Sequence, residues 1–467
     1  MSTQPNVVFV FGDEWRAQAT GYAGDKNCAT PNIDAFRKKA IHFPNAVAGT
    51  PVCCPYRASL LTGQYPLTHG VFINDVELNP SSYSIAHAFK NGGYNTAYIG
   101  KWHVYGSPDG KYGRRSAYVP RNYQLGFDYW KGFECNHEYN DSYYYFNDDP
   151  TPRKWEGYDA FPQSEDAANY IYQHANDTKP FLLMLSWGPP HFPLDTAPEK
   201  YRKIYEENDI ILRPNVPRHL QEKAKEELRG YYAHIAALDD AFAIVRKAII
   251  NAGIDKNTIF VFTSDHGDMR QSQGLPTKLF PFDESVCVPF LLRIPTLENS
   301  DNSVSPIPID APDIMPTLLG LCNLPIPPTV EGTDWSPFIL GKKILTGNES
   351  AFLNIPAEFT EILRHGMKAY RGFRSVNYTY VRNTDGPWLL YDNIDDPYQM
   401  RNLIKSANKK LLDECEAKLQ EHLRKRHDEF LDGKTYLKRA GLTHYGEVNV
   451  KCKTIWHDPW EAATTNI

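Results

Sequence analysis

A cysteine with proline and arginine at fixed offsets opens the most informative run of this chain: Cys53-Cys54-Pro55-Tyr56-Arg57, then Ala58-Ser59-Leu60-Leu61-Thr62-Gly63. A turn-like segment, Gly49-Thr50-Pro51-Val52, precedes it, and the residues after it read as a helix. Cys53 is therefore expected at or just before a helix N-terminus. Backbone N–H groups and the helix dipole favour an anion there and lower a thiol pKa. A buried, inert thiol is the plainer reading of an isolated cysteine. That reading leaves Pro55, Arg57 and the Leu-Thr-Gly continuation unexplained.

Five other polar features could share one site. Asp13-Glu14 follows the apolar run Asn6 to Phe11, and Asp265-His266 follows Thr258 to Thr263. Either acidic pair alone reads as a helix cap or a solvated loop. Together they bring several carboxylates to one place, where uncompensated like charge is costly. A divalent cation with oxygen ligands relieves that cost. Lys101 and His103, in Gly100-Lys101-Trp102-His103, are spaced to share a face on an extended backbone. His191 lies in Gly188-Pro189-Pro190-His191-Phe192-Pro193, where flanking prolines fix the backbone and aim one side chain. Lys278 alone is a solvated charge; its place ahead of Val288-Pro289-Phe290 singles it out.

The elements that would carry these residues alternate. Asn6 to Phe11, Asn95 to Ile99, Phe181 to Ser186, Thr258 to Thr263 and Phe290 to Ile294 read as strands. Helices are expected from Thr30 to Ala40, Tyr83 to Asn91, Ser164 to Asn176, Gly230 to Asn251 and Pro312 to Leu321. Such alternation predicts an α/β fold, a large mostly parallel sheet sandwiched by helices. Ligands bind beyond the carboxyl ends of such strands, and four of the clusters fall there. The pattern changes near residue 345. Met367 to Arg382 and Trp388 to Tyr391 alternate like antiparallel strands, and Leu403 to Phe430 reads as a helix. We therefore expect a catalytic domain over 1–345 and a smaller α+β subdomain over 346–467.

The C-x-P-x-R run followed by Leu-Thr-Gly resembles the signature of the formylglycine-dependent sulfatases, a family with an alkaline phosphatase-like fold. The likeness spans about residues 5 to 430. It implies a sulfuric ester hydrolase in which Cys53, not Cys54, is converted to formylglycine by a formylglycine-generating enzyme. It implies metal ligands at Asp13, Glu14, Cys53, Asp265 and His266, with Ca2+ the usual ion and Mn2+ or Mg2+ the alternatives. It implies that Arg57, Lys101 and Lys278 stabilise sulfate charge. His103 would deprotonate one formylglycine hydroxyl, and His191 or Lys278 would protonate the leaving oxygen. Tyr56 and Gln64 depart from the usual small residue and arginine of the signature.

Bulk properties narrow the partners. The 467 residues carry a net charge of -6 with no polybasic run, which argues against nucleic acid. No apolar stretch approaches the ~20 residues that span a bilayer. The start, Met1-Ser-Thr-Gln-Pro5, lacks a basic n-region, so the chain as written reads as cytoplasmic; a removed leader would make it periplasmic or secreted. Eight cysteines, ending at Cys452, are too scattered for a disulfide framework. A Tyr- and Trp-rich insertion, Val104 to Phe161, reads as core cover or as the wall of a sugar cleft. With His137 and Arg114-Arg115 it points to a sulfated saccharide from an anionic polysaccharide. Two rival readings use the same residues: a phosphonate monoester or phosphodiester hydrolase of the same superfamily, and an unmatured carbohydrate-binding pseudoenzyme.

Overall fold

The computed structural model describes residues 4–206, 209–295, 297, 302–449 and 456–461. The Met1 start and Cys452 lie outside the described residues. A nine-stranded sheet dominates, ordered β2-β9-β8-β1-β7-β3-β4-β5-β6. In chain order its strands are β1 (Asn6–Asp13), β2 (Ile41–His42), β3 (Asn95–Lys101), β4 (Tyr129–Phe133), β5 (Tyr143–Phe146), β6 (Asp149–Lys154), β7 (Phe181–Pro190), β8 (Thr258–Ser264) and β9 (Leu291–Arg293). The central run β8-β1-β7-β3-β4 is parallel. Antiparallel strands close both edges.

β1 shows why this sheet is buried on both sides. Val7, Phe9 and Phe11 enter one core, while Val8 and Val10 enter the other. With both faces covered, the strand reads as an unbroken apolar run rather than an alternating one. One face receives helices Cys53–Thr62, Ile85–Asn91 and Ala311–Leu321; the other receives Pro31–Arg37, Ala160–His174 and Gln221–Asn251.

The aromatic insertion resolves into structure. It contributes β4, β5 and β6 and widens the sheet. Tyr139, Tyr145 and Trp155 are buried. Arg114 pairs with Glu77, and Arg115 grips Asp75 through two of its nitrogens. Of the two readings of this segment, cover is the one these residues follow.

A second, antiparallel sheet joins β10 (Ser350–Ile355), β11 (Tyr370–Ser375), β12 (Tyr378–Asn383) and β13 (Gly386–Asp392). Phe352, Phe373, Tyr380 and Leu390 pack with Cys415, Leu419 and Leu423 of helix Lys409–Lys425. The expected helix Leu403 to Phe430 is thus shorter, starting after the Asn408 cap and stopping at Lys425. This layer touches the segment ahead of Cys53: the Asn354 N–H donates to the Gly49 carbonyl at 2.8 Å. A Cβ at Gly49 would stand 2.3 Å from the Phe352 carbonyl oxygen, so the approach requires glycine. Arg374 of β11 also makes a two-bond pair with Asp283, at 2.9 Å each.

Candidate active site

The carboxyl ends of β1, β3, β7 and β8 meet the N-terminus of helix Cys53–Thr62. Every residue of that helix is buried, and Gly63 ends it in a left-handed conformation, φ 69°. Cys53 is its first residue. The expected acidic thiol is not found. Burial, reinforced by Asp13, pushes the Cys53 thiol up to about 12. Desolvation disfavours the thiolate more than the helix dipole favours it. The side chain is a neutral thiol, not a standing nucleophile.

Arg57, one turn along the helix, binds four strand ends. Its Nε and Nη2 donate to Asp265 Oδ2 at 3.2 and 3.0 Å, and Nη2 also donates to Asp13 Oδ2 at 3.3 Å. Its Nη1 donates to the Lys101 carbonyl at 2.9 Å and to Ser186 Oγ at 2.7 Å. A guanidinium has five N–H groups, and these bonds occupy them all. Arg57 therefore positions Asp13 and Asp265 rather than reaching outward.

Asp13, Cys53, Asp265 and His266 each offer a donor atom, all within 4.8 Å of one another. His266 Nδ1 lies 3.0 Å from the Gly267 carbonyl oxygen. A carbonyl only accepts, so Nδ1 carries the proton and Nε2 turns its lone pair into the cluster. Nε2 stands 3.1 Å from Cys53 Sγ, 3.7 Å from Asp13 Oδ1 and 3.6 Å from Asp265 Oδ1. The two carboxylates split. Burial raises Asp13, but the charges of Lys101 and Arg57 outweigh it and hold the acid well below the usual range. Burial and the charge of Asp13 lift Asp265 above it. Two oxygens and an imidazole lone pair, with one carboxylate raised by the other, form a donor set that fits a divalent cation.

Glu14, expected among the ligands, is not one of those four donors. It adopts φ 66°, and its carboxylate pairs with Lys278 and lies 3.5 Å from Arg270 Nη2. Lys278 Nζ also lies 3.0 Å from His191 Nε2. His191 Nδ1 faces the Phe192 carbonyl at 2.9 Å, so it holds the ring proton and Nε2 accepts from the lysine. Burial, then the charge of Lys278, holds the His191 imidazole well below its ordinary range. Lys278 is thus the proton carrier of the pair.

Lys101 ends β3 and pairs with Asp13. The shared-face argument for His103 fails because β3 stops at Lys101 and His103 takes φ 58°. Its two ring nitrogens are nonetheless buried without a hydrogen-bond partner among the described residues. Burial, then Lys101 and Arg115, pushes its imidazole well below the ordinary range, so the ring is a neutral acceptor.

The sequence singles out His137 and the tyrosines of the insertion but not what they hold. Residues 137–140 clamp the loop that bears His191. The His137 ring stacks on His191 with centroids 4.3 Å apart and planes 22° apart. The Tyr139 hydroxyl lies 3.3, 3.0 and 3.1 Å from the carbonyls of Gly188, His191 and Phe192. Asn140 donates to the Thr196 carbonyl at 2.8 Å. The only signal was proximity in composition, a histidine among tyrosines, which fixes no partner. A Cβ at Gly188 would meet Tyr139 Cε1 at 2.7 Å. Gly188→Ala is expected to destabilise by about 1–3 kcal/mol and to lower kcat more than it raises KM, read by urea melts and steady-state kinetics. A wild-type kcat would show that the clamp does not hold His191.

The comparisons with known proteins agree with this geometry. The Sulfatase family model matches residues 5–324, and the model of the N-sulphoglucosamine sulphohydrolase C-terminal region matches residues 272–429. An ulvan-active sulfatase of Formosa agariphila is 44% identical over 440 residues, covering 94% of this chain and 84% of that protein. An endo-4-O-sulfatase of Bacteroides thetaiotaomicron is 31% identical over 88% of this chain and 90% of its own. A Bacteroides thetaiotaomicron structure from work on the metabolism of multiple glycosaminoglycans superposes with a TM-score of 0.82 at 28% identity, covering 95% of this chain and all of that one.

Proposed function

Because the chain belongs to the sulfatase family, we propose that it hydrolyses sulfate esters of an anionic polysaccharide such as ulvan or a glycosaminoglycan. Its relatives named for ulvan and for endo-4-O-sulfate cleavage support that substrate class. The observation that carries the reading is the meeting of Cys53, a cation-ready donor set and two lysines at one sheet edge.

Conversion of Cys53 to a hydrated aldehyde would supply two hydroxyls on one carbon, one to attack sulfur and the other to expel sulfate. At 2% exposure the thiol is enclosed by the folded chain, so a maturing enzyme would meet it before folding is complete. Asp13, Asp265, His266 and the side chain at 53 would hold a divalent cation, proposed as Ca2+, which supplies positive charge beside the sulfate oxygens. Mn2+ and Mg2+ are the alternative ions, and Glu14 is retained as an outer acidic partner.

The chain's own groups divide the remaining work. Of the three hydrogen bonds an ammonium can donate, Lys101 makes one and Lys278 two among the described residues, so each keeps a donor for a sulfate oxygen. Lys278, protonated and aligned on neutral His191, gives its proton to the departing sugar oxygen. His103, buried and neutral, accepts the proton of the hydroxyl that expels sulfate. Arg57 holds Asp13 and Asp265 in register.

Proton donation matters most when the leaving oxygen is basic. Lys278→Met is expected to cut turnover of a saccharide sulfate by about 10²–10⁴-fold and of 4-nitrophenyl sulfate far less, since nitrophenolate leaves unaided. Equal losses on both substrates would remove Lys278 from that role. Failure of the wild-type protein to release sulfate from any sulfated saccharide would sink the substrate class itself.

A further inference from the structure

Lys278 has no regular element beneath it. The stretch 275–282 that carries it is neither helix nor strand, so no ladder of backbone bonds sets its height over the site. Yet its ammonium meets both Glu14 and His191. The stretch is fixed instead by bonds reaching it from elsewhere in the chain.

Ahead of it stands Gln273, 1% exposed and at φ 56°. Its Nε2 donates to the carbonyls of Tyr398 and Gln399 at 2.9 Å each, and its Oε1 accepts from Trp460 Nε1 at 2.7 Å. Its backbone N–H donates to the Asn215 carbonyl at 2.7 Å. Behind it, the Asp283 N–H donates to Gln399 Oε1 at 2.8 Å, and Gln399 Nε2 donates in return to Asp283 Oδ1 at 3.3 Å. Arg374 of β11 grips the same carboxylate. Beside Lys278 itself, Leu279 takes φ 85°, and its carbonyl accepts from the Tyr370 hydroxyl of β11 at 3.1 Å.

Both ends of the stretch therefore converge on one turn, Tyr398–Gln399, which follows β13. Gln399 is buried and holds φ 54°. Positive φ is costly for residues other than glycine and persists where the surroundings over-determine it, often at functional sites. Gln273, Leu279 and Gln399 all carry that cost in this one clasp. A side-chain amide both donates and accepts, and Gln399 spends both functions on Asp283.

We propose that Gln399 is a positioning residue for the leaving-group proton. Through Gln273 and Asp283 it sets the stretch that bears Lys278, and so aims the ammonium at the departing sugar oxygen. The inference rests on the reading of Lys278 as donor of that proton and adds the turn that aims it.

Gln399→Ala is expected to lower kcat on a saccharide sulfate by about tenfold to a hundredfold, the cost of misplacing a reacting group by ~1 Å. KM should change little, and 4-nitrophenyl sulfate, whose leaving group needs no proton, should lose far less. Trp460→Phe keeps the ring and removes one bond to Gln273; it is expected to act in the same direction and more weakly. Thermal melts establish which variants fold. An unchanged ratio of the two substrates in Gln399→Ala, or in Trp460→Phe where alanine at 399 prevents folding, overturns the proposal. A double-mutant cycle separates aiming from general disturbance. With Lys278→Met already in place there is no ammonium to aim, so Gln399→Ala should add little further loss on the saccharide sulfate; a full additional loss also overturns the proposal. If Lys278→Met alone lowers both substrates equally, the proton-donor reading fails and the aiming role falls with it, an outcome read without any change at 399.

Discussion

Cys53→Ala is expected to abolish sulfate release, by at least about 10⁴-fold, while the protein still folds. The reason lies in what surrounds residue 53. Its side chain is the one nucleophile precursor among the donors of Asp13, Asp265 and His266. As an unmodified thiol it is held neutral near 12 and would attack poorly. Removing its sulfur takes away a small group from a rim bound together by other residues, so the stability cost is expected near 1 kcal/mol. Ion chromatography of released sulfate and a thermal melt measure the two effects. Near-wild-type turnover would place the nucleophile elsewhere.

The second large effect belongs to Asp13→Asn, and here stability moves as well. Asp13 is wholly buried and balances Lys101 and part of Arg57. Removing one member of a buried ion cluster leaves its partners uncompensated, which costs about 3–5 kcal/mol. Turnover is expected to fall on the order of 10³-fold. Wild-type protein dialysed against chelator and returned to Ca2+ should gain thermal stability by mass action, about 2.7 kcal/mol at a hundredfold excess over Kd; the variant should lose most of that gain. The pH dependence has a definite sign. The folded-state carboxyl lies well below its reference of 3.8. Its contribution is therefore present above that value and lost as pH falls through the folded pKa. Asn removes this part of the acid limb. A variant as stable as wild type, with an intact Ca2+ response, would show that Asp13 holds neither the lysine nor the ion.

Much of the frame was readable because its signals are local. Strands such as Val7 to Phe11 are apolar on both faces, and this marks a covered parallel sheet wherever it occurs. The rule that ligands lie beyond strand ends then placed Asp13, Lys101, His191 and Asp265 at one edge. What escaped the sequence depends on geometry across long separations. The thiol of Cys53 was expected to be acidic from its helix position, but depth of burial is not encoded locally. His103 was placed by strand periodicity, which stops applying once its backbone turns to positive φ. The insertion's tyrosines read equally as cover or cleft until β4, β5 and β6 extended the sheet. Arg57 was expected to face sulfate; counting its bonds to Asp13, Asp265, Lys101 and Ser186 needs the fold itself.

That last residue has a consequence for how the site stays together. One guanidinium fastens β1, β3, β7 and the segment after β8 at a single point. No one of these segments can fray alone without stranding a buried cation. Asp13, Asp265 and the strand end that bears Lys101 are therefore held in place together by one side chain.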